Sequence, residues 1–251
     1  MDELKNKIAI ITGGSGDIGT ATVLKFIEEG SSGVIIADLD INRAERIIKN
    51  IKLHSFYNCV AFKTDVSNYN DIKNLFKFTL DTFGTIDILV NCAGICPIAS
   101  LEEIGEKEWD NVMDINLKST YLCSREAIAI MKEKRSGKII NVSSVAGRMG
   151  GIATGINYAT SKGGIITLTM SLAKICGTYN INVNCVAPGT IDSEMTKTWN
   201  NDKKQDILRN IPLGRFGTSE DVANVITFLA SEKSNYMSGA VVDVNGGLFM
   251  G

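Results

Sequence analysis

Continuous β-branched runs alternate along almost the whole chain with stretches whose apolar residues recur every three or four positions. Lys7 to Thr12 (KIAIIT) has no polar face, the pattern of a strand covered on both sides in a parallel sheet. A glycine-rich turn, Gly13 to Gly19, leads into Thr20 to Glu29, which is apolar at helical spacing. Further strands are predicted at Val34 to Ala37, Cys59 to Lys63, Ile86 to Val90, Lys138 to Val142 and Asn182 to Val186. The intervening spacing predicts helices at Asn42 to Lys52, Asn68 to Phe83, about Glu106 to Glu133, and from the Tyr158 region to about Cys176. Repeated β-α-β units with right-handed crossovers imply an α/β fold: a doubly wound parallel sheet of about seven strands with helices on both faces.

Composition narrows this picture. At 251 residues and 44% hydrophobic, with no linker rich in Pro, Ser or Gly, the chain is expected to form a single domain over residues 1–251. A net charge of -2, from 26 basic and 28 acidic residues, gives no bulk attraction to nucleic acid or to a membrane surface. The basic run Lys132 to Lys138 reads as a solvated helix end. No apolar run approaches the roughly 20 residues needed to span a bilayer, and no signal peptide pattern opens the chain, so the expected location is cytoplasmic. The six cysteines lie mostly in apolar segments without CxxC spacing or neighbouring histidines, so reduced thiols and no metal site are expected.

Ligands of such sheets bind beyond the carboxyl ends of the strands. There Gly13, Ser15, Asp17, Ile18 and Gly19 form a turn into a helix, where free backbone N-H groups and the helix dipole suit a pyrophosphate. Asp38 ends the second strand, nineteen residues after Gly19. Its carboxylate suits both adenosine ribose hydroxyls and repels a 2'-phosphate, so NAD is favoured over NADP. Neither Gly16 nor Leu39 offers a cation to a 2'-phosphate. Asp38 also fits as an ordinary helix cap, a role open to Asp40. Asp65-Val66, Asn91 to Gly94, Ser143-Ser144 and Pro188-Gly189 follow the other strand ends and face the same crevice.

Tyr158 and Lys162 stand four residues apart, on one face of a helix. A phenol with a pKa near 10 needs an adjacent fixed cation to act as a base at neutral pH, and Lys162 is placed to be that cation. The single histidine, His54, lies in a polar stretch far upstream, which leaves Tyr158 as the first candidate for acid-base chemistry.

In order and spacing, TGGSGDIG, Asp65-Val66, NCAG, MDINLKS, INVSS, YATSK, NCVAPG, IPLGRFG, SEDVANVITFLAS and NGG resemble the short-chain dehydrogenase/reductase family over essentially the whole chain. The resemblance implies a Rossmann-like fold, a nicotinamide cofactor, a small alcohol or ketone substrate and a homotetramer. It implies a catalytic set of Asn116, Ser144, Tyr158 and Lys162. Tyr158 would exchange the proton of a secondary alcohol or ketone, and Ser144, second of its pair, would hold the same oxygen. Lys162 would bind the nicotinamide ribose and lower the Tyr158 pKa, and Asn116 would hold a water linking Lys162 to solvent. Asp65 and Val66 would contact adenine, Asn91, Ala93 and Gly94 the ribose side, and Pro188, Gly189, Ile191 and Ser193 the nicotinamide end.

Asp17 replaces the family's middle glycine, so backbone strain or repulsion of a pyrophosphate is expected there unless the carboxylate turns outward. The closest subgroup is 3-oxoacyl reductase-like, whose carrier-protein members usually prefer NADPH; Asp38 argues against that cofactor, whereas Lys132, Lys134, Arg135 and Lys138 suit an acidic carrier. Polyol and hydroxysteroid dehydrogenases also remain open. Residues 190–211, with Met195 and Trp199, are expected to form a substrate lid. A non-catalytic nucleotide-binding regulator is the alternative from another class.

Overall fold

β1 (Ile8–Thr12) is an interior strand of the sheet, and every one of its five residues is buried. In the computed structural model, which describes residues 2–52, 58–151, 154–193, 196 and 199–251, six more strands join it. These are β2 (Gly33–Asp38), β3 (Cys59–Lys63), β4 (Ile88–Asn91), β5 (Gly137–Val142), β6 (Ile181–Pro188) and β7 (Val241–Val244). They form one sheet in the order β3-β2-β1-β4-β5-β6-β7. Every neighbouring pair is parallel. The order reverses between β1 and β4, and that reversal opens the crevice at the carboxyl ends of the strands. The expected doubly wound fold is therefore present. β7 escapes the periodicity because four half-buried residues make too short a run.

Alternate residues of each strand serve opposite layers. Ala9, Ile11, Val34, Ile36, Ile88 and Val90 share a core with Val23 and Phe26 of α1 (Asp17–Glu28). α2 (Ile41–Lys52) adds Ala44 to the same side. Ile10, Ile35, Leu89 and Ile139 pack instead on Leu75 of α3 (Tyr69–Phe83) and on more distant helices. Burying one such Ile or Leu side chain is worth roughly 1.5–3 kcal/mol.

The predicted long helix from about Glu106 to Glu133 is divided into α4 (Glu106–Met113) and α5 (Ser119–Lys134) by one π-helical turn, Asp114–Lys118. A π turn inserts a residue into the ladder and is often found at functional sites. Asn116 lies within it, fully buried. α6 (Ala146–Met149), α7 (Ile156–Cys176), α8 (Asn201–Arg209) and α9 (Ser219–Ala230) complete the helices used below. α9 opens with a capping box between Thr218 and Asp221 and packs its Val222 and Ile226 beside α1.

The basic run is not merely a solvated helix end. Lys132 sits over the Tyr179 ring at 4.5 Å, Lys134 pairs with Asp87, Arg135 donates to the Thr178 carbonyl at 2.7 Å, and Lys138 donates to Asn235 at 2.7 Å. These contacts gather where β5 begins, at the opposite end of the sheet from the crevice. The six cysteines are free thiols. Among the described residues no cluster of three potential metal ligands occurs, and no helix is long and apolar enough to cross a membrane. His54 lies outside the described residues.

Candidate active site

A cavity of about 1060 Å³ occupies the crevice. Its floor at β1 depends on two glycines. Gly13 has φ +63°, and a Cβ there would lie 2.7 Å from the Cα of Ala93. A Cβ on Gly19 would run into the carbonyl of Gly13. Only bare backbone allows the turn, the loop after β4 and the start of α1 to meet this closely. Gly16 caps α1 without a side-chain hydrogen bond. The cradle therefore fits a dinucleotide pyrophosphate at the helix N-terminus, with Gly13, Ser15, Asp17, Ile18 and Gly19 lining it.

Asp17 departs from the expectation of strain. It is the first residue of α1, and positive φ at described non-glycine residues occurs only at Asn6, Arg135 and Asn180. Its carboxylate turns aside to accept from Arg43 Nη2 at 3.0 Å, and a negative charge in a first helical turn is favourable.

At the end of β2, both Asp38 oxygens are anchored: Oδ2 accepts from Ser15 N at 2.9 Å and Oδ1 from Asp40 N at 3.0 Å. Asp40 is the residue that caps α2, accepting from Arg43 N at 2.9 Å. Leu39, Asp65, Val66, Ala93 and Gly94 also line the cavity, as do Pro188, Gly189, Ile191 and Ser193. Asn91 does not. Its Nδ2 donates inward to Ser124 Oγ at 3.1 Å and to Asn141 Oδ1 at 2.9 Å, so it supports the floor beneath the cavity. The last residue of a buried strand alternates away from its neighbours, and Asn91 falls on the side facing α5.

The four residues expected to form the catalytic set come from three places: Asn116 from the π turn, Ser144 from the loop after β5, and Tyr158 and Lys162 both from α7. Lys162 on α7 is 4% exposed, donates to the Val142 carbonyl at 2.9 Å and places Nζ 5.7 Å from the centre of the Tyr158 ring. Ser143 is committed to the fold, donating to the Lys162 carbonyl at 2.7 Å. Ser144 instead lies in the cavity lining beside Tyr158, whose phenol it influences, and accepts from Ala146 N at 3.1 Å. Asn116 accepts from Ile95 N at 2.8 Å and donates to Ile95 O at 2.9 Å and Ser161 Oγ at 3.0 Å. Its own carbonyl accepts from the Thr120 hydroxyl at 2.7 Å. The side chain thus clamps the Gly94–Cys96 loop beside Lys162.

Burial works against one electrostatic expectation. Burial, more than any other influence, raises the Tyr158 phenol above its ordinary value, and Ser144 only partly opposes this. Burial also lowers Lys162. Desolvation disfavours the charged form of both groups, so within the protein alone Lys162 does not yield a ready phenolate. Burial likewise holds Cys92 and Cys96 as thiols, pushed up to about 11.

Comparison with known proteins identifies the family. A family model described as "Enoyl-(Acyl carrier protein) reductase" matches residues 14–249. The chain belongs to the short-chain dehydrogenase/reductase family. It is 39% identical over 248 residues to the 3-oxoacyl-[acyl-carrier-protein] reductase FabG of Staphylococcus epidermidis, covering 98% of this chain and 100% of that one. The enzyme of the same name from Chlamydia pneumoniae is 43% identical over 246 residues, 98% of each chain. A solved structure titled "Crystal structure of gox2181" matches with a TM-score of 0.94 and 32% identity, over 98% of this chain and 96% of that one. As a short-chain dehydrogenase/reductase the protein is an oxidoreductase acting on CH-OH groups with a nicotinamide cofactor.

Several residues in or beside the cavity are invisible to spacing arguments. Thr12 Oγ1 accepts from Cys92 N at 3.2 Å and Ala93 N at 3.3 Å, which sets the loop after β4. Arg43 lines the cavity from α2, where a charged residue reads as solvent-facing. Trp199, Ile207 and Asn210 reach the cavity from the segment expected to be a lid, most of whose second half is α8. Met195 lies outside the described residues.

Proposed function

We propose that this oxidoreductase interconverts a secondary alcohol and a ketone with NAD(H), using Tyr158 as the proton-transferring group. The placement of Ser144 and Tyr158 side by side in the cavity lining, with Lys162 beside the Tyr158 ring, supports the reading. Two hydroxyl groups side by side suit a single carbonyl oxygen. When bound, the nicotinamide supplies or accepts the hydride. The glycine cradle, Asp38, Asp65 and Val66 would hold the dinucleotide, and Pro188, Gly189, Ile191 and Ser193 its nicotinamide end.

In the reducing direction Tyr158 Oη donates its proton to the ketone oxygen, while the Ser144 hydroxyl orients that oxygen. Lys162 Nζ offsets the negative charge left on the phenol. Asn116 fixes the loop above Lys162; with its side chain committed to Ile95 and Ser161, the water linking Lys162 to solvent would fall to its backbone carbonyl, which also accepts from Thr120. Burial keeps Tyr158 protonated through neutral pH, which favours reduction.

A 3-oxoacyl thioester is the substrate class supported by the relatives' names. The cavity wall of Ile95, Cys96, Met149, Trp199, Ile207 and Leu248 suits an uncharged acyl ketone. The test is turnover of NADH with acetoacetyl-CoA beside a panel of polyols, ketosteroids and simple ketones. NADH binding without turnover of any of them, and without effect of Tyr158→Phe on cellular conversion, would return the protein to the regulator reading.

A further inference from the structure

The adenosine end of the cavity holds an ion pair that no motif announces. Arg43 lies in the first turn of α2, and Asp17 is the first residue of α1. They meet across the crevice mouth, Nη2 to Oδ1, at 3.0 Å. Asp38 and Asp40 stand on the same side of the cavity, and Asp38 is fixed there by the Ser15 and Asp40 backbone. Among the described lining residues the cations are Arg43 and Lys162, and Lys162 is committed beside Tyr158. Arg43 is therefore the described lining cation at the adenosine end.

A 2'-phosphate needs what Arg43 offers, a charged fork able to make charge-assisted hydrogen bonds. A ribose with free hydroxyls does not. We propose that Asp17 acts as a cofactor-specificity residue by engaging Arg43 and withholding it from a 2'-phosphate, adding to the direct repulsion by Asp38. The inference rests on the NAD reading and explains why an acidic residue is tolerated in the phosphate turn. The Asp17 carboxylate is paired with Arg43 where it lines the cavity, and it also offsets a cation placed unfavourably at the positive end of α2.

The test is direct binding, by calorimetry or nucleotide fluorescence, of NADH and NADPH to the full-length protein. Wild type, Asp17→Asn, Asp17→Gly, Arg43→Ala and the Asp17→Asn/Arg43→Ala double variant are compared, with circular dichroism to confirm folding. Freeing Arg43 is expected to shift the NADPH-to-NADH affinity ratio toward NADPH by about tenfold, the scale of one charge-assisted phosphate contact. The double variant is expected to lose that shift. Asp17→Gly restores the residue usual at this position in the family and supports the proposal by the same shift if Asp17→Asn does not fold. An unchanged ratio in a folded Asp17 variant of an NADH-preferring wild type overturns the Asp17 role and leaves that of Asp38 standing. A shift that survives in the double variant shows that Arg43 is not the cation released, which also overturns the proposal. A wild type that prefers NADPH overturns both roles.

Discussion

The Ser143 hydroxyl donates to the backbone carbonyl of Lys162 over 2.7 Å, while Ser144, the next residue, lines the cavity beside Tyr158. Two chemically identical neighbours are thereby divided between fold and chemistry. Ser143→Ala should cost about 1 kcal/mol of stability, the net worth of one buried hydrogen bond, with little change in kcat. Ser144→Ala should lower kcat by roughly 10²–10³, as for loss of one donor at a developing oxyanion, at nearly unchanged Tm. Thermal melts and steady-state rates on both variants check this; an exchange of the two phenotypes contradicts the assignment.

Tyr158 is raised by burial, so its protonated form prevails below the raised value. Ketone reduction consumes that proton and should stay flat from about pH 6 to pH 8, then fall as pH rises through the phenol pKa. Alcohol oxidation needs the phenolate and should climb with pH over the same range. Paired pH profiles in both directions test the sign, and Tyr158→Phe should abolish both limbs. A reductive rate that falls between pH 6 and pH 7 would show that the loaded site lowers the phenol, as the spacing with Lys162 first suggests.

Asn116 satisfies both backbone groups of Ile95 at once. Asn116→Leu keeps similar volume but strands those buried groups, at roughly 1–3 kcal/mol for each one left unpaired. Urea unfolding should show a loss of at least about 2 kcal/mol on that scale, accompanied by a lower kcat as the loop shifts from Lys162. Full stability in this variant would mean that the clamp is dispensable.

Gly19 has no room for a methyl group beneath the Gly13 carbonyl. Gly19→Ala should weaken NADH binding by at least about tenfold, because overpacking of about 1–3 kcal/mol must be relieved by moving the cradle. Fluorescence titration measures it, and wild-type affinity would show that the turn is more yielding than its packing implies.

The family resemblance and the apolar faces of α5 and α7 together lead us to propose a homotetramer. Tyr121, Met170 and Ile175 on these helices are more than 40% exposed, enough to be covered by another copy of the chain. Size-exclusion with light scattering should give a mass of four chains, and a monomer at micromolar concentration would refute the assembly.

The order of the first six strands, the glycine cradle and the positions of Asp38, Tyr158 and Lys162 are readable from the chain, whereas the choice of Ser144 over Ser143 there rests on the family resemblance alone. Burial on two faces imposes continuous apolar runs, and close backbone approach imposes glycine, so both leave local marks. What depends on distant partners leaves no such mark. Tertiary structure alone separated Ser143 from Ser144, turned Asn91 into the floor, placed a π turn at Asn116 and brought Arg43 of α2 to Asp17 of α1. It also sets burial against the local effect of Lys162 on Tyr158, because the spacing of two groups along a helix is local whereas desolvation is set by everything packed around them.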